Sequence, residues 1–211
     1  MKLHVLPAGP ILTNAYLLTD AALGQALLID APGGIWDRVR PILEREKCSL
    51  VELWLTHGHW DHTQGAAEVV RETGARVRGH PADRRLFEDP GVMADFLGED
   101  LGLEPVGIDD WLEPGAPLSV LGRTVEVRHV PGHCPGNVLF NFPEFQAAFV
   151  GDALFRGSVG RTDLPGGDAE TLAEAIRNEI YSLPPETRVF PGHGEPTTVG
   201  EEQATNPYVR A

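Results

Sequence analysis

The sequence predicts an α/β protein in which two β-rich layers carry helices outside them, an αββα sandwich. Two observations predict it. The first half of the 211 residues reads as strands, helix, strand, helix, strand, and the second half as strands, helix, strand. The 24 glycines and 18 prolines are spread along the chain as punctuation between short elements and gather into no linker. A chain of 211 residues buries roughly 70% of the surface its unfolded form exposes, so a single domain over residues 1–211 can hold a large core without covalent staples.

Taken in order, residues 3–6, 14–19 and 26–30 read as short strands separated by Pro/Gly and Asp/Gly breaks. Apolar residues at 35, 36, 39, 42 and 43 give residues 35–47 the spacing of a helix face. Residues 51–55 form a short apolar strand that stops at a polar, histidine-rich segment. Residues 63–73 read as a helix with Ala66, Ala67, Val69 and Val70 on its apolar face and Gly74 as its cap. A strand follows at 75–78. Residues 81–113 have weak periodicity and several breakers, which predicts a short helix within irregular, lid-like structure. Strands return at 118–120, 124–130, 138–142 and 147–150. Residues 169–183 place Leu172, Ala175, Ile176, Ile180 and Leu183 on one side of a helix; 188–190 is a last strand, and 201–204 begins a terminal helix.

The formal charge is −14, from 17 basic and 31 acidic residues, which argues against nucleic acid or an anionic membrane as partner. Cys48 and Cys134 cannot build a disulfide framework and suit a reducing compartment. Pro7, Gly9, Pro10 and Asn14 interrupt the apolar start, making it a poor signal peptide. No apolar run approaches the ~20 residues that span a bilayer. These features predict a soluble, cytoplasmic protein.

The chemistry concentrates at strand ends. His57, His59, Asp61 and His62 lie just after the strand at 51–55. Side chains two apart on an extended segment point to one side, and Asp61 and His62 follow at the bend into the next helix. Nitrogen and oxygen donors gathered in this way suit a divalent ion such as zinc. His133 in Pro131-Gly132-His133-Cys134-Pro135-Gly136, Asp152 in Gly151-Asp152-Ala153 and His193 in Pro191-Gly192-His193-Gly194 each follow a predicted strand in a glycine-flanked turn. A lone histidine beside glycine is more often a surface turn residue than a ligand; the shared strand-end setting is what singles these three out. His4, His80 and His129 lack that setting and are read as structural. Cys134 and Trp60 are read as packing residues, and Asn14 and Tyr16 as structural. The loop Arg156–Arg161 follows Asp152; its glycines predict backbone N–H groups open to an anionic ligand, and Arg161 is a candidate for a substrate carboxylate or for an ion pair with Asp163.

The pattern His57-x-His59-x-Asp61-His62, then His133, Asp152 and His193, resembles the metal-binding pattern of the metallo-β-lactamase fold, in order and over nearly the whole chain. The stretch from Gly151 to Asp163, with Pro191-Gly192-His193-Gly194 and Thr205-Asn206-Pro207-Tyr208, resembles the short glyoxalase-II-like (hydroxyacylglutathione hydrolase-like) subgroup. The resemblance implies two divalent ions per chain, zinc first with iron or manganese as alternatives. It implies His57, His59 and His133 on one ion, Asp61, His62 and His193 on the other, and Asp152 bridging them. It further implies hydrolysis of a hydroxyacyl thioester such as S-lactoylglutathione by activated water, with Asp61 orienting that water and accepting its proton. Little chain follows His193, so the C-terminal helical domain that helps full-length glyoxalase II bind glutathione is expected to be absent. Gly160-Arg161-Thr162-Asp163 also resembles the persulfide dioxygenases of this fold, whose single iron would sit on His57, His133 and Asp152. Pro191-Gly192-His193-Gly194 favours two metals and hydrolysis. A lactonase or phosphodiesterase is a further reading, because fold does not fix substrate.

Overall fold

The structure is a computed structural model that describes residues 1–89, 91–98 and 102–211. The chain divides into two compact units, Met1–Leu112 and Glu113–Ala211.

The first unit is built on β1 (Lys2–Ala8), β2 (Thr13–Asp20), β3 (Gln25–Ile29), β4 (Ser49–Trp54), β5 (Arg76–Gly79) and β6 (Asp110–Trp111), in that order across one sheet. β1–β2–β3 is an antiparallel meander, and β3 to β6 run parallel. Parallel neighbours need crossovers; α1 (Trp36–Glu46) supplies the one between β3 and β4, α3 (Ala66–Thr73) lies in the one between β4 and β5, and residues 81–109 lie in the one between β5 and β6. α1 buries Val39 and Leu43, and α3 buries Ala66 and Val69, in a core with Leu17, Leu28, Leu53 and Val77. Each such aliphatic side chain contributes about 1.5–3 kcal/mol by leaving water.

The helix expected at 63–73 is two helices, a short α2 (Trp60–Thr63) and α3. Gly65 separates them because the backbone there lies against the loop after β3. Its N–H donates to the Ala31 carbonyl at 2.8 Å, and a Cβ at Gly65 would stand 2.4 Å from the Pro32 carbonyl oxygen. Gly74 caps α3 in the left-handed conformation, as its position in the sequence predicts. Residues 81–113 are more regular than expected: a 3-10 turn at Pro81–Asp83, α4 (Arg84–Glu88), α5 (Gly91–Leu97) and β6. Part of that expectation, at 90 and 99–101, lies outside the described residues.

The second unit contains β7 (Pro117–Val120), β8 (Arg123–His129), β9 (Val138–Phe142), β10 (Ala147–Gly151), the hairpin β11 (Leu154–Phe155) and β12 (Ser158–Val159), α6 (Ala169–Ala175), β13 (Arg188–Pro191), β14 (Thr197–Thr198) and α7 (Val199–Thr205). Its sheet runs β14-β13-β10-β9-β8-β7, parallel only at β10–β13. The β10–β13 register shifts between Phe149 and Gly151, a bulge just before Asp152. α6 starts at an Asp168 cap, whose carboxylate accepts the Thr171 N–H at 2.7 Å. It continues as a π-turn over Ile176–Ile180, where the sequence predicted one unbroken helix to 183. At its end the Arg128 guanidinium donates to the Glu179 carbonyl at 2.9 Å, satisfying a carbonyl of the last helical turn. Leu172, Ala175, Ile176, Ile180 and Leu183 pack with Val130, Ala148, Val150 and Val189, the face their spacing predicts. Among the described residues no helix is long and apolar enough to cross a membrane.

Candidate metal centre

In the first unit the donors arise where β4 ends. His59 is extended (φ −68°, ψ 147°) and α2 begins at Trp60, so His57 and His59 precede the helical turn that carries Asp61 and His62. All four side chains are buried. The His57 and His59 rings meet edge-on with centroids 4.7 Å apart, and those of His57 and His62 lie 4.1 Å apart. Asp61 Oδ2 stands 3.3 Å from His62 Nε2 and accepts the Thr13 hydroxyl at 2.7 Å.

Asp30, just past β3, organises this segment. Its carboxylate accepts the Thr56 N–H and hydroxyl, both at 2.8 Å, and the His62 Nδ1–H at 2.8 Å. Because the Thr56 hydroxyl donates to Asp30, it accepts the His57 Nδ1–H, at 3.0 Å. Both imidazoles are thereby fixed with Nε2 as the basic nitrogen, the tautomer a metal ligand requires. A second buried carboxylate, Asp83, accepts the Gly58 N–H at 2.8 Å. Gly58 admits no side chain, since a Cβ there would stand 2.6 Å from Leu86 Cβ. Sequence reading missed both aspartates. Asp30 carried part of the signal of Asp152, an aspartate at the end of a predicted strand, without the adjoining glycine; Asp83 had none.

In the second unit His133, Asp152 and His193 come together. Asp152 Oδ2 stands 3.6 Å from His133 Nε2 and 3.4 Å from His193 Nε2. Ligands held at about 2.0–2.2 Å by one tetrahedral ion lie about 3.3–3.6 Å from one another, so these separations fit shared coordination. His133 is oriented by its Nδ1–H, which donates to the Arg161 carbonyl at 2.8 Å. Gly132 (φ +118°) seats the loop on α6, because a Cβ there would stand 2.3 Å from the Leu172 nitrogen. Asn137 braces the bridge position, with Oδ1 accepting the Asp152 N–H at 3.4 Å and Nδ2 donating to Val150 O at 3.2 Å.

The Arg161 guanidinium forks onto Asp163, Nε to Oδ1 and a terminal nitrogen to Oδ2, both at 2.7 Å. That pairing holds the Asp163 carboxyl down at about 2 and raises Arg161. The expectation of open N–H groups in the Arg156–Arg161 loop is corrected at both glycines. Gly157 N–H donates to Glu202 at 2.9 Å, and Gly160 N–H to the Ala153 carbonyl at 3.3 Å. Cys134, Asn14 and Tyr16 are buried. His4 bonds Thr19, and burial lowers its pKa; His129 bonds the Pro135 carbonyl; His80 caps the turn at Pro81–Asp83.

The profile of the metallo-beta-lactamase superfamily matches residues 8–193. The chain belongs to the metallo-beta-lactamase superfamily. Its mixed α/β fold with two large sheets is the one the sequence predicts, and it is a metallo-hydrolase of that fold. Its histidine and aspartate donors are suited to a dinuclear metal site. This superfamily chain is 34% identical to hydroxyacylglutathione hydrolase GloC of Haemophilus influenzae, over 100% of this chain and 99% of the relative. It matches the crystal structure of BLEG-1, a B3 metallo-beta-lactamase, with a TM-score of 0.89 and 35% identity, both chains being covered completely. It matches the structure of TTHA1623 in a di-iron-bound form with a TM-score of 0.85 and 38% identity, over 98% of this chain and 100% of the other.

Proposed function

We propose that the chain hydrolyses hydroxyacyl thioesters of the S-lactoylglutathione type, with two divalent ions held by His57, His59, Asp61, His62, His133, Asp152 and His193. The observation that carries this is Asp152, whose single oxygen lies between two imidazole nitrogens at 3.4 and 3.6 Å, as a bridging carboxylate requires. The full-length similarity to a hydroxyacylglutathione hydrolase supports the substrate class. Zinc is the first choice for these N/O donors, and the di-iron relative makes iron the principal alternative. We further propose that residues 1–211 work as one catalytic domain in the cytoplasm.

The ions would supply an activated water near neutral pH and a Lewis acid for the thioester carbonyl. The chain's own residues do the rest. Asp61 orients the attacking water and takes its proton on the carboxylate, which the Thr13 hydroxyl holds in one rotamer. Asp30 and the Arg161 carbonyl keep His62 and His133 in the binding tautomer. Burial of the four donors in the first unit keeps bulk water from competing with the substrate. Arg161 receives a substrate carboxylate by exchanging it for Asp163, which presents the same bidentate geometry.

The test is metal analysis of the purified protein coupled to activity on S-lactoylglutathione and on glutathione persulfide. Two ions per chain with thioester turnover is the expected result. A metal-replete protein without thioester turnover overturns the proposal, and one iron per chain with oxygen consumption on the persulfide replaces it with the dioxygenase reading.

A further inference from the structure

Glu202 lies on α7, after the last of the proposed metal ligands, and is 1% exposed. Its Oε1 accepts the Thr197 hydroxyl at 2.7 Å; its Oε2 accepts Asn206 Nδ2 at 2.8 Å and the Gly157 N–H at 2.9 Å. Asn206, also buried, donates from Nδ2 to the Ser158 carbonyl at 3.1 Å and accepts the N–H groups of Tyr208 and Val209 at 2.9 and 3.2 Å. An ionised carboxylate is a costly group to bury, and apolar packing alone would hold a terminal helix more cheaply. Beyond Thr197 on β14, their own helix and the tail, what this carboxylate and its asparagine grip is the turn of one hairpin.

That hairpin is β11–β12, with Gly157 in its turn and Ser158 opening β12. The hairpin and the chain just after it both meet proposed ligands. The Phe155 ring stands edge-on to His193, with centroids 6.0 Å apart. After β12 the Arg161 carbonyl accepts the His133 Nδ1–H, and Gly160 lies so close that a Cβ would stand 3.0 Å from that His133 nitrogen. From this arrangement we propose that Glu202 and Asn206 are positioning residues: they clamp the β11–β12 hairpin, and through it fix a wall of the substrate site beside His133 and His193. The kinetic part of this proposal rests on the hydrolase reading; the clamp itself does not.

The experiment is amide hydrogen exchange on the metal-loaded full chain, with steady-state kinetics on S-lactoylglutathione, for Glu202→Ala, Glu202→Gln and Asn206→Ala. Glu202→Ala and Asn206→Ala are expected to speed exchange at residues 157–160 about 100-fold while β10 stays protected. They are expected to raise KM about fivefold or more with kcat within about twofold. Glu202→Gln is expected to behave as the parent. Its amide oxygen can take both Gly157 N–H and Asn206 Nδ2, and its amide N–H can donate to the Thr197 hydroxyl.

Unchanged exchange at 157–160 in Asn206→Ala overturns the clamp, as does a Glu202→Gln protein as loose as Glu202→Ala. Faster exchange with an unchanged KM overturns the positioning role. Should Glu202→Ala fail to fold, Asn206→Ala and Glu202→Gln decide alone. Absence of thioester turnover in the parent chain counts against the proposed function only. The clamp is then read from exchange, and the positioning role from metal retention against a chelator, expected to weaken several-fold in Asn206→Ala; unchanged retention overturns it.

Discussion

Asp30 Oδ2 lies 2.8 Å from Nδ1 of His62, with both side chains excluded from solvent. A carboxylate on Nδ1 fixes the ring's plane and raises the basicity of Nε2, and removing such a partner typically weakens metal binding about 10–100-fold. Asp30 occupies the left-handed region at φ 60°, which Asn tolerates. Asp30→Asn is therefore expected to fold. Its amide cannot accept from His62, the Thr56 N–H and the Thr56 hydroxyl together as the carboxylate does. Chelator competition should show weaker metal retention of that size; retention equal to the parent would remove Asp30 from the metal centre.

Gly160 and Gly157 make a contrasting pair. A Cβ on Gly160 would fall 1.8 Å from the Asp152 carbonyl oxygen, whereas a Cβ on Gly157 (φ +69°) meets nothing within 4 Å. Gly160→Ala must displace the Asp152 turn. It should cost about 1–3 kcal/mol or more in denaturant melts and reduce metal content. Gly157→Ala should show only the left-handed backbone penalty of about 1–2 kcal/mol, with metal content intact. Equal losses of metal in the two variants would contradict this account.

Arg161 lowers the Asp163 carboxyl to about 2 by hydrogen bonding. A depressed acid pKa contributes stability above the ordinary aspartate range, and that contribution fades as pH falls toward about 2. The pair is exposed, so Arg161→Ala should leave thermal stability near neutral pH almost unchanged. By NMR titration Asp163 should return toward 3.8. The proposed substrate contact predicts a raised KM for S-lactoylglutathione as well. A KM equal to the parent's leaves Arg161 with its ion pair and its carbonyl contact to His133 alone.

Tyr181 donates its buried hydroxyl to the carbonyls of Glu202 and Val209 at 3.2 and 2.9 Å. Burial, with the nearby Glu202 charge, pushes the phenol up to about 12. For an acid whose folded pKa is raised, stability is fully present below the unfolded value of 10.0 and is lost as pH rises through about 12. Spectrophotometric titration should show one tyrosine ionising late or only on unfolding. Tyr181→Phe should delete that phase and cost about 1 kcal/mol near neutral pH.

Much of this was legible in the sequence because the signals are local. His57 to His62 are nearly contiguous, and their turn from strand into helix is set by residues on either side. Gly74 and the apolar face of residues 169–183 announce themselves by conformation and spacing. What stayed hidden depends on residues distant in the chain. Asp30 reaches Thr56 across 26 residues and His62 across 32, and no spacing rule links them. The break at Gly65 comes from the loop after β3, and the Glu179 carbonyl at the end of the π-turn is taken by Arg128, 51 residues earlier. β6, β11, β12 and β14 are two residues each, too short to show a period.

The bulge between Phe149 and Gly151 makes chain length at that point a constraint as firm as any side chain. Successive residues of a strand face opposite ways, so deleting one residue there would regularise the ladder and turn the Asp152 carboxylate away from His133 and His193. Substitution elsewhere could not restore it. Tolerance to substitution and tolerance to insertion or deletion should therefore diverge in this stretch. Apolar residues of similar volume are admissible at 147–150, while a change of even one in their number is not.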